Sequence, residues 1–558
     1  MATIEVSYKD LIKLIGKNVS LDELRDNGIL FVKGQVDDVK DDILKIEVAD
    51  TNRPDLWSTE GIARELRGYY NIEQGLPKFN VKKGKTNLFV DNNVKEIRPL
   101  IAGAVIRNIK IDEELLIQLI QLQEKISDNF GRKRKEVAIG LYDLDIIKWP
   151  VYYKAMDTKT KFVPLDFNKS LTLKQILEVH PKGIAYGHLI KDYKQYPILI
   201  DSNGVIASMP PIINSVITGK VTTETKNLFL EVTGYNWDYI NTALLIMAAA
   251  LHDRKGQVET INIHYGNKVI VTPVFKDKTI NISLDFINKI SGLNLSKQEI
   301  IKLLKKCRYD AEAKDNKIKV TYSTYRQDIL HECDVVEDIL IAYGYNNINP
   351  EYPSIVTTGK LEDLEIFSNK LAGLLIGFKA QEVLSYTLTN KENLLGKMNL
   401  KDQKLIEIEN PVSKNWSVFR TSILSSLMEF LSKNTNKEYP QQIFEIGNTI
   451  IPDNKKETRS KDVKTLTFAL IDNKADFTKA KQVLDYLFDN LGLKYSLEEF
   501  DYESFVSGRS GRIIVRGKKL GLIGEIHPEV LINWNLEMPV CAFELNLNEL
   551  YNIIKTIK

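Results

Sequence analysis

The sequence predicts an α+β chain of several domains, and three observations carry that prediction. At 558 residues the chain is long enough for roughly three or four domains of about 150 residues each. Short runs with period-two alternation, such as Ile318, Val320 and Tyr322, are interleaved with amphipathic runs of helical spacing, such as residues 115–126. No fixed-period repeat or low-complexity tract is evident, which sets repeat architectures aside.

Composition narrows the class. With 76 basic against 74 acidic side chains the net charge is +2, so bulk charge gives no attraction to nucleic acid, and RNA contact requires local patches or a partner. Cys307, Cys333 and Cys541 are widely spaced, which argues against a disulfide framework or a cysteine metal site and suits a reducing compartment. The N-terminus carries Glu5, Lys9 and Asp10 where a signal peptide needs an apolar core. The longest apolar run, residues 243–251, is too short to span a bilayer and reads as a buried helix. A cytoplasmic protein with no membrane segment is expected.

The first block, residues 1–85, alternates β-like runs such as residues 28–32 with a helix that starts near Ser58. Residues 51–58 read as a turn feeding that helix, with Ser58 as N-cap. Arg53 and Asp55 fix the turn in this reading and carry no chemistry.

The second block, residues 86–268, opens with a strand in which Ala102, Ala104 and Ile106 face one way and Gly103, Val105 and Arg107 the other. A helix bearing Leu115, Leu116, Leu119, Ile120, Leu122 and Ile126 runs into Arg132-Lys133-Arg134-Lys135, the densest basic run of the chain. Consecutive cations suit RNA phosphates. A strand follows at once at residues 137–144, so a solvated loop between core elements is the competing reading. Residues 199–209 read as strand, Asn203-Gly204 turn and strand, a hairpin that delivers Ser208 just ahead of Pro210-Pro211. Further on, a strand sets Phe229, Glu231 and Thr233 on one face, opposite Leu228, Leu230 and Val232. A carboxylate and a hydroxyl two residues apart can line a polar pocket or simply stand solvated.

In the third block, residues 269–350, Ser296 and Glu299 form a capping-box pattern ahead of an apolar face of Ile300, Ile301, Leu303 and Leu304. A strand follows, then an acidic helix. Asp334, Glu337 and Asp338 stand at i, i+3 and i+4 on one helix face, and Asp328 upstream can fold over that face. Carboxylates that close repel one another, and a hard cation such as Mg²⁺ removes the repulsion. The alternative is a solvated acidic helix start favoured by the macrodipole.

The fourth block, residues 351–558, carries Glu409-Asn410-Pro411, Phe419-Arg420-Thr421-Ser422, Phe444-Glu445-Ile446-Gly447 and Gly521-Leu522-Ile523-Gly524-Glu525-Ile526-His527-Pro528. With no Cys or His spaced around it, His527 reads as structural.

Arg326-Gln327-Asp328-Ile329, continuing through Asp334, Glu337 and Asp338 to Tyr343-Gly344-Tyr345, resembles the B5-domain signature of phenylalanyl-tRNA synthetase β subunits. The segment from Asn52 to Glu65, the hairpin and Glu231 strand, and the Gly521 to Pro528 stretch resemble the same family in the same order, in its shorter archaeal or eukaryotic form. The resemblance implies an N-terminal α+β domain at 1–85, a B3/B4 tRNA-editing domain at 86–268 and a B5 domain with an Mg²⁺-binding acidic cluster at 269–350. It implies a non-catalytic class II aminoacyl-tRNA synthetase-like domain, built on an antiparallel sheet, at 351–558. By position the family's editing pocket falls on Leu199, Ser208, Glu231 and Thr233, and its Mg²⁺ ligands on Asp328, Asp334, Glu337 and Asp338. Relatives often carry aspartate at the Glu231 position and glutamate at the Asp338 position. An acid at residue 231 can hydrogen-bond the phenolic hydroxyl that separates tyrosine from phenylalanine.

The last domain departs from an active class II site. Arg420 stands in an FRxE-like motif, but Ser422 replaces its glutamate, and Gly508-Arg509-Ser510-Gly511-Arg512 precedes a strand where the final motif needs a helix. The implied protein therefore has no catalytic residue of its own for aminoacylation. It works in an α₂β₂ tetramer whose α subunit charges tRNA(Phe) with phenylalanine using ATP, while the β subunit hydrolyses mischarged Tyr-tRNA(Phe). A free-standing tRNA deacylase and a non-enzymatic RNA-binding scaffold are the alternatives.

Overall fold

One apolar core runs through all three blocks expected between residues 1 and 350. Ile4, Leu44 and Ile62 from the first, Ala104, Leu230 and Leu244 from the second, and Ile282, Leu304 and Val336 from the third belong to one buried cluster. The computed structural model describes residues 2–556 and divides into two units, Met1–Tyr352 and Pro353–Lys558. The division falls between Tyr352 and Pro353, and within the first unit the three modules bury apolar faces in one shared cluster.

In the first unit, strands Ala2–Ser7, Ile43–Val48 and Gly34–Lys40 form an antiparallel sheet. The β-like run expected at residues 28–32 is helical instead. Ser20 caps a segment that continues as Leu21–Glu23, Leu24–Gly28 and Ile29–Phe31, the middle piece a π-turn. Leu24, Gly28 and Phe31 are buried at i, i+4 and i+7, the helical spacing that wins over the β propensity of the run. Ser58 accepts from Gly61 N and starts the helix Thr59–Tyr69, as expected.

A large sheet carries the next module. Its strands lie in the order Ile213–Asn214, Ile206–Met209, Gln195–Ile200, Val151–Asp157, Asn87–Val90, Gln257–Tyr265, Leu100–Arg107, Leu228–Gly234 and Val137–Asp143. Helix Trp237–Asp253 lies against one face, with residues 243–251 fully buried. The hairpin forms with Gly204 at φ 79° and Ser208 opposite Leu199. The third module pairs Lys278–Ser283, Lys317–Tyr322 and Asp310–Lys314, carries the capping box of Ser296 and Glu299 on helix Lys297–Lys306, and ends in the acidic helix Glu332–Tyr343.

The second unit is built on a seven-stranded sheet ordered Gln381–Glu382, Gln441–Pro452, Ser460–Ile471, Val540–Asn546, Lys518–Ile526, Phe505–Val515 and Ser496–Glu499. All its pairs are antiparallel except the first. Alternating residues serve two cores: Phe468 and Phe543 pack with helices Asp363–Gly377 and Phe477–Asn490, whereas Ala469 and Ala542 pack with Leu424–Ser432. Residues 353–362 carry no helix or strand and are exposed throughout.

Candidate functional site

Glu231 lies in the middle of a strand that is hydrogen-bonded on both sides, and it faces glycine on each neighbour, Gly103 on one and Gly140 on the other. The missing side chain at Gly140 leaves a notch beside the carboxylate, whereas the space at Gly103 is filled by Ile261 and Phe229. Tyr142 sits two residues beyond Gly140 on the same strand face, at the rung opposite Phe229, on which its ring stacks. Its hydroxyl reaches back to stand 2.7 Å from Ser208 Oγ and 3.0 Å from Glu231 Oε1. A Cβ at residue 140 would lie 2.4 Å from that hydroxyl and 2.7 Å from Oε1, so the arrangement requires glycine there.

Glu231, Tyr142 and Ser208 are all buried. Oε2 of Glu231 has no hydrogen-bond partner, an arrangement that is costly for a buried charge. Burial pushes the carboxyl up to about 7, while the Tyr142 hydrogen bond and the nearby Arg98 guanidinium act the other way. Glu231 lines a cavity of about 560 Å³, with Leu119, Ile139 and Leu141 among its apolar wall residues and Arg134 and Lys182 among its cations. Its size and mixed lining suit a small organic group.

The four expected pocket residues divide. Glu231 forms the cavity wall, and Ser208 stands behind it, linked through Tyr142. Leu199 is a core residue paired with Ser208 across the hairpin. Thr233 Oγ1 accepts from Arg98 Nε at 2.9 Å, and its carbonyl accepts from Nη2 at 2.6 Å. Neither Leu199 nor Thr233 lines the cavity. Sequence reasoning passed over Gly140, Tyr142 and Arg98, although Gly140 and Tyr142 share one face of a strand it had placed.

The basic run does not act as one patch. Arg132, Lys133 and Arg134 take successive φ values of 50°, 54° and 63°, a left-handed turn that costs about 1–2 kcal/mol per residue. It turns Arg134 inward, where the guanidinium donates to Pro211 O, Ile212 O and Glu124 Oε1 and lies over Tyr186. Arg132, Lys133 and Lys135 remain exposed. The expected RNA contact at Arg134 is therefore corrected: this side chain belongs to the cavity wall.

The acidic cluster does not converge on a shared point. Arg326 takes Asp328 at 2.6 Å and Asp338 at 2.7 Å, Tyr309 donates to Asp338 at 2.5 Å, and Lys33 takes Glu337 at 3.1 Å. Asp334 accepts from Leu330 N and His331 N at the helix start. A void of about 20 Å³ beside Asp338 is walled partly by Lys33 and Arg53, whereas Mg²⁺ usually keeps several waters. Among the described residues, no group of three His, Cys, Asp or Glu is arranged to hold a metal ion. The residues do not fit the expected Mg²⁺ site, because Arg326 and Lys33 already pair with Asp328, Asp338 and Glu337, and backbone N–H groups hold Asp334.

In the second unit Arg420 is buried and fully engaged. It donates to Glu445 Oε1 at 2.7 Å, Ser385 Oγ at 2.7 Å and Asn448 O at 3.0 Å. Gly508 to Arg512 lie within a strand. His527 Nδ1 accepts from Glu529 N at the start of helix Pro528–Asn533, the structural role expected. Among the described residues no helix is long and apolar enough to cross a membrane.

Comparisons with known proteins give a consistent result. Residues 280–345 match the family described as the tRNA synthetase B5 domain, and residues 348–547 match the phenylalanyl tRNA synthetase beta chain CLM domain. The chain is 46% identical to a phenylalanine–tRNA ligase beta subunit from Pyrococcus abyssi, over 99% of this chain and 100% of the relative. A protein of the same name from Pyrococcus horikoshii is 47% identical over the same shares. Among solved structures, an N-terminal fragment of the Pyrococcus horikoshii phenylalanyl-tRNA synthetase beta subunit superposes with a TM-score of 0.60 at 46% identity, covering 62% of this chain and 100% of the fragment.

Proposed function

The chain belongs to the phenylalanine–tRNA ligase β-subunit family, and from that premise we propose that its first unit hydrolyses tyrosine wrongly esterified to tRNA(Phe). The observation that carries this reading is Glu231 on the wall of a cavity of about 560 Å³, its Oε2 buried and without a partner. A tyrosyl phenol can donate to that oxygen. Phenylalanine would leave it unpaired, and sites built to bond a hydroxyl reject analogues that lack one. Hydrolysis then needs water placed against the ester and no protein nucleophile.

Activation of phenylalanine and its transfer to tRNA fall to a separate α subunit in an α₂β₂ assembly, which takes ATP as its substrate. The engagement of Arg420 by Glu445, Ser385 and Asn448 supports this division, because no free guanidinium edge remains for a triphosphate. Arg132 and Lys133, turned outward by the left-handed turn, are the residues of the basic run suited to tRNA phosphates. A cytoplasmic setting accords with free Cys307, Cys333 and Cys541.

Glu231→Ala in the full chain, assembled with its α subunit, tests the editing reading. Deacylation of Tyr-tRNA(Phe) falls by about a hundredfold if a hydrogen bond to charge is lost, while phenylalanine charging persists. An unchanged deacylation rate would remove the assignment.

A further inference from the structure

Oε2 of Glu231 is unpaired while the other oxygen of the same carboxylate is held. Carboxylates carry two equivalent acceptors, and a freely rotating one would offer either to a ligand. Here Oε1 is tied to Tyr142 at 3.0 Å, and Tyr142 is in turn tied to Ser208 at 2.7 Å on the neighbouring hairpin. Tyrosine has a single proton to give. With Glu231 ionised, that proton goes to Oε1 and the Ser208 hydroxyl donates back to the tyrosine oxygen. The phenol cannot turn away, because its ring stacks on Phe229 at 5.5 Å between centroids and has no exposed surface.

We propose that Tyr142 is a positioning residue that sets the specificity of this pocket, by fixing Glu231 so that a single oxygen, Oε2, is offered to a hydroxyl on the bound acyl group. The proposal rests on the editing reading of the cavity. It adds a device to that reading: the side chain that presents the acceptor is itself a phenol bonded to the same carboxylate. The carboxyl thus already has one tyrosine hydroxyl, and a tyrosyl substrate would supply the second.

The charged and titratable groups around Glu231 set how the device responds to pH. Arg98, just ahead of the strand Leu100–Arg107, and Tyr142, on the strand Val137–Asp143, both favour the ionised carboxylate, against a burial cost that pushes it to about 7. Tyr153 from the strand Val151–Asp157 feels the same charge and, like Tyr142, stays protonated. Glu124, Arg134 and Lys182 lie further along the cavity wall and pair with one another. Ionised Glu231 accepts a substrate hydroxyl best, so preference for the tyrosyl ester rises with pH through this range.

Tyr142→Phe keeps the ring and removes only the hydroxyl. In the full chain with its α subunit, deacylation of Tyr-tRNA(Phe) and Phe-tRNA(Phe) is measured from about pH 5.5 to about 8.5, which brackets the Glu231 carboxyl at about 7. The expected result is a preference for the tyrosyl ester lowered about tenfold, the worth of one such bond. The rising limb also moves to higher pH, because a donor favouring ionised Glu231 is gone. A purely structural role would lower stability and leave the limb in place. Wild-type preference and an unmoved limb in this variant would overturn the proposal. Glu231→Gln, run in parallel, separates the two claims: if it abolishes the preference, the pocket reading stands whatever Tyr142→Phe shows, and if it does not, that reading falls first.

Discussion

Arg326 Nη2 lies 2.7 Å from Asp338 Oδ2 and 2.6 Å from Asp328 Oδ2, so one guanidinium joins the loop before the acidic helix to the helix itself. All three side chains are largely buried, and the arginine holds the Asp328 carboxyl down to about 2 against the cost of its burial. Arg326→Met would leave two buried acids facing each other. Removing one partner from a buried ion pair typically costs about 3–5 kcal/mol, so the urea midpoint of the full chain should fall by the corresponding amount, with tyrosyl-ester hydrolysis preserved in the folded fraction.

Chelation separates arginine from metal as the source of that neutralisation. Treating the purified chain with excess EDTA should leave its thermal midpoint unchanged, because Asp328, Asp338 and Glu337 already have Arg326 and Lys33 as partners. A fall restored by added Mg²⁺ would return the cluster to a metal site.

Gly140→Ala probes the notch around Glu231. The new methyl group would crowd the Tyr142 hydroxyl and Glu231 Oε1, and overpacking of this kind costs about 1–3 kcal/mol. Discrimination between tyrosyl and phenylalanyl esters should weaken more than the thermal midpoint does, since the displaced atoms are those that present the carboxylate.

Stability should depend on pH through Glu231. Its folded-state value, about 7, lies above the ordinary 4.5, so the folded chain holds this proton more tightly than the unfolded chain. The stabilisation is complete below the unfolded value, declines as pH rises between the two, and is gone above about 7. The difference amounts to about 3 kcal/mol at most. Glu231→Gln should lose this slope, giving a denaturation midpoint that stays flatter than wild type between pH 5 and about 7.5.

Periodicity made most of the fold legible. The caps at Ser58 and Ser296 and the Asn203-Gly204 turn were readable because each rests on contacts within a few residues, and the alternation around Ala102, Ala104 and Ile106 because successive side chains of any strand point to opposite faces. The run at residues 28–32 misled because its β propensity competed with burial at helical spacing, which only tertiary packing decides. At the site, Glu231 and Ser208 were found by motif, whereas Tyr142 and Arg98 were not, since their roles depend on which strands become neighbours. The partners of the acidic cluster were hidden for a related reason: Lys33 reaches Glu337 and Arg53 reaches Asp328 from the N-terminal module, pairings no local spacing records.

The shared core of the first unit bears on the order in which the chain can fold as it is made. Its last buried member, Ala342, belongs to the same cluster as Ile4 and Leu230. A nascent chain of only its first hundred residues therefore lacks the later members of its own core, the acidic helix among them, and domains generally fold as units during synthesis. Residues 353–362, exposed and without helix or strand, follow next, so every member of the first unit's core is synthesised before the first strand of the second sheet, Gln381–Glu382.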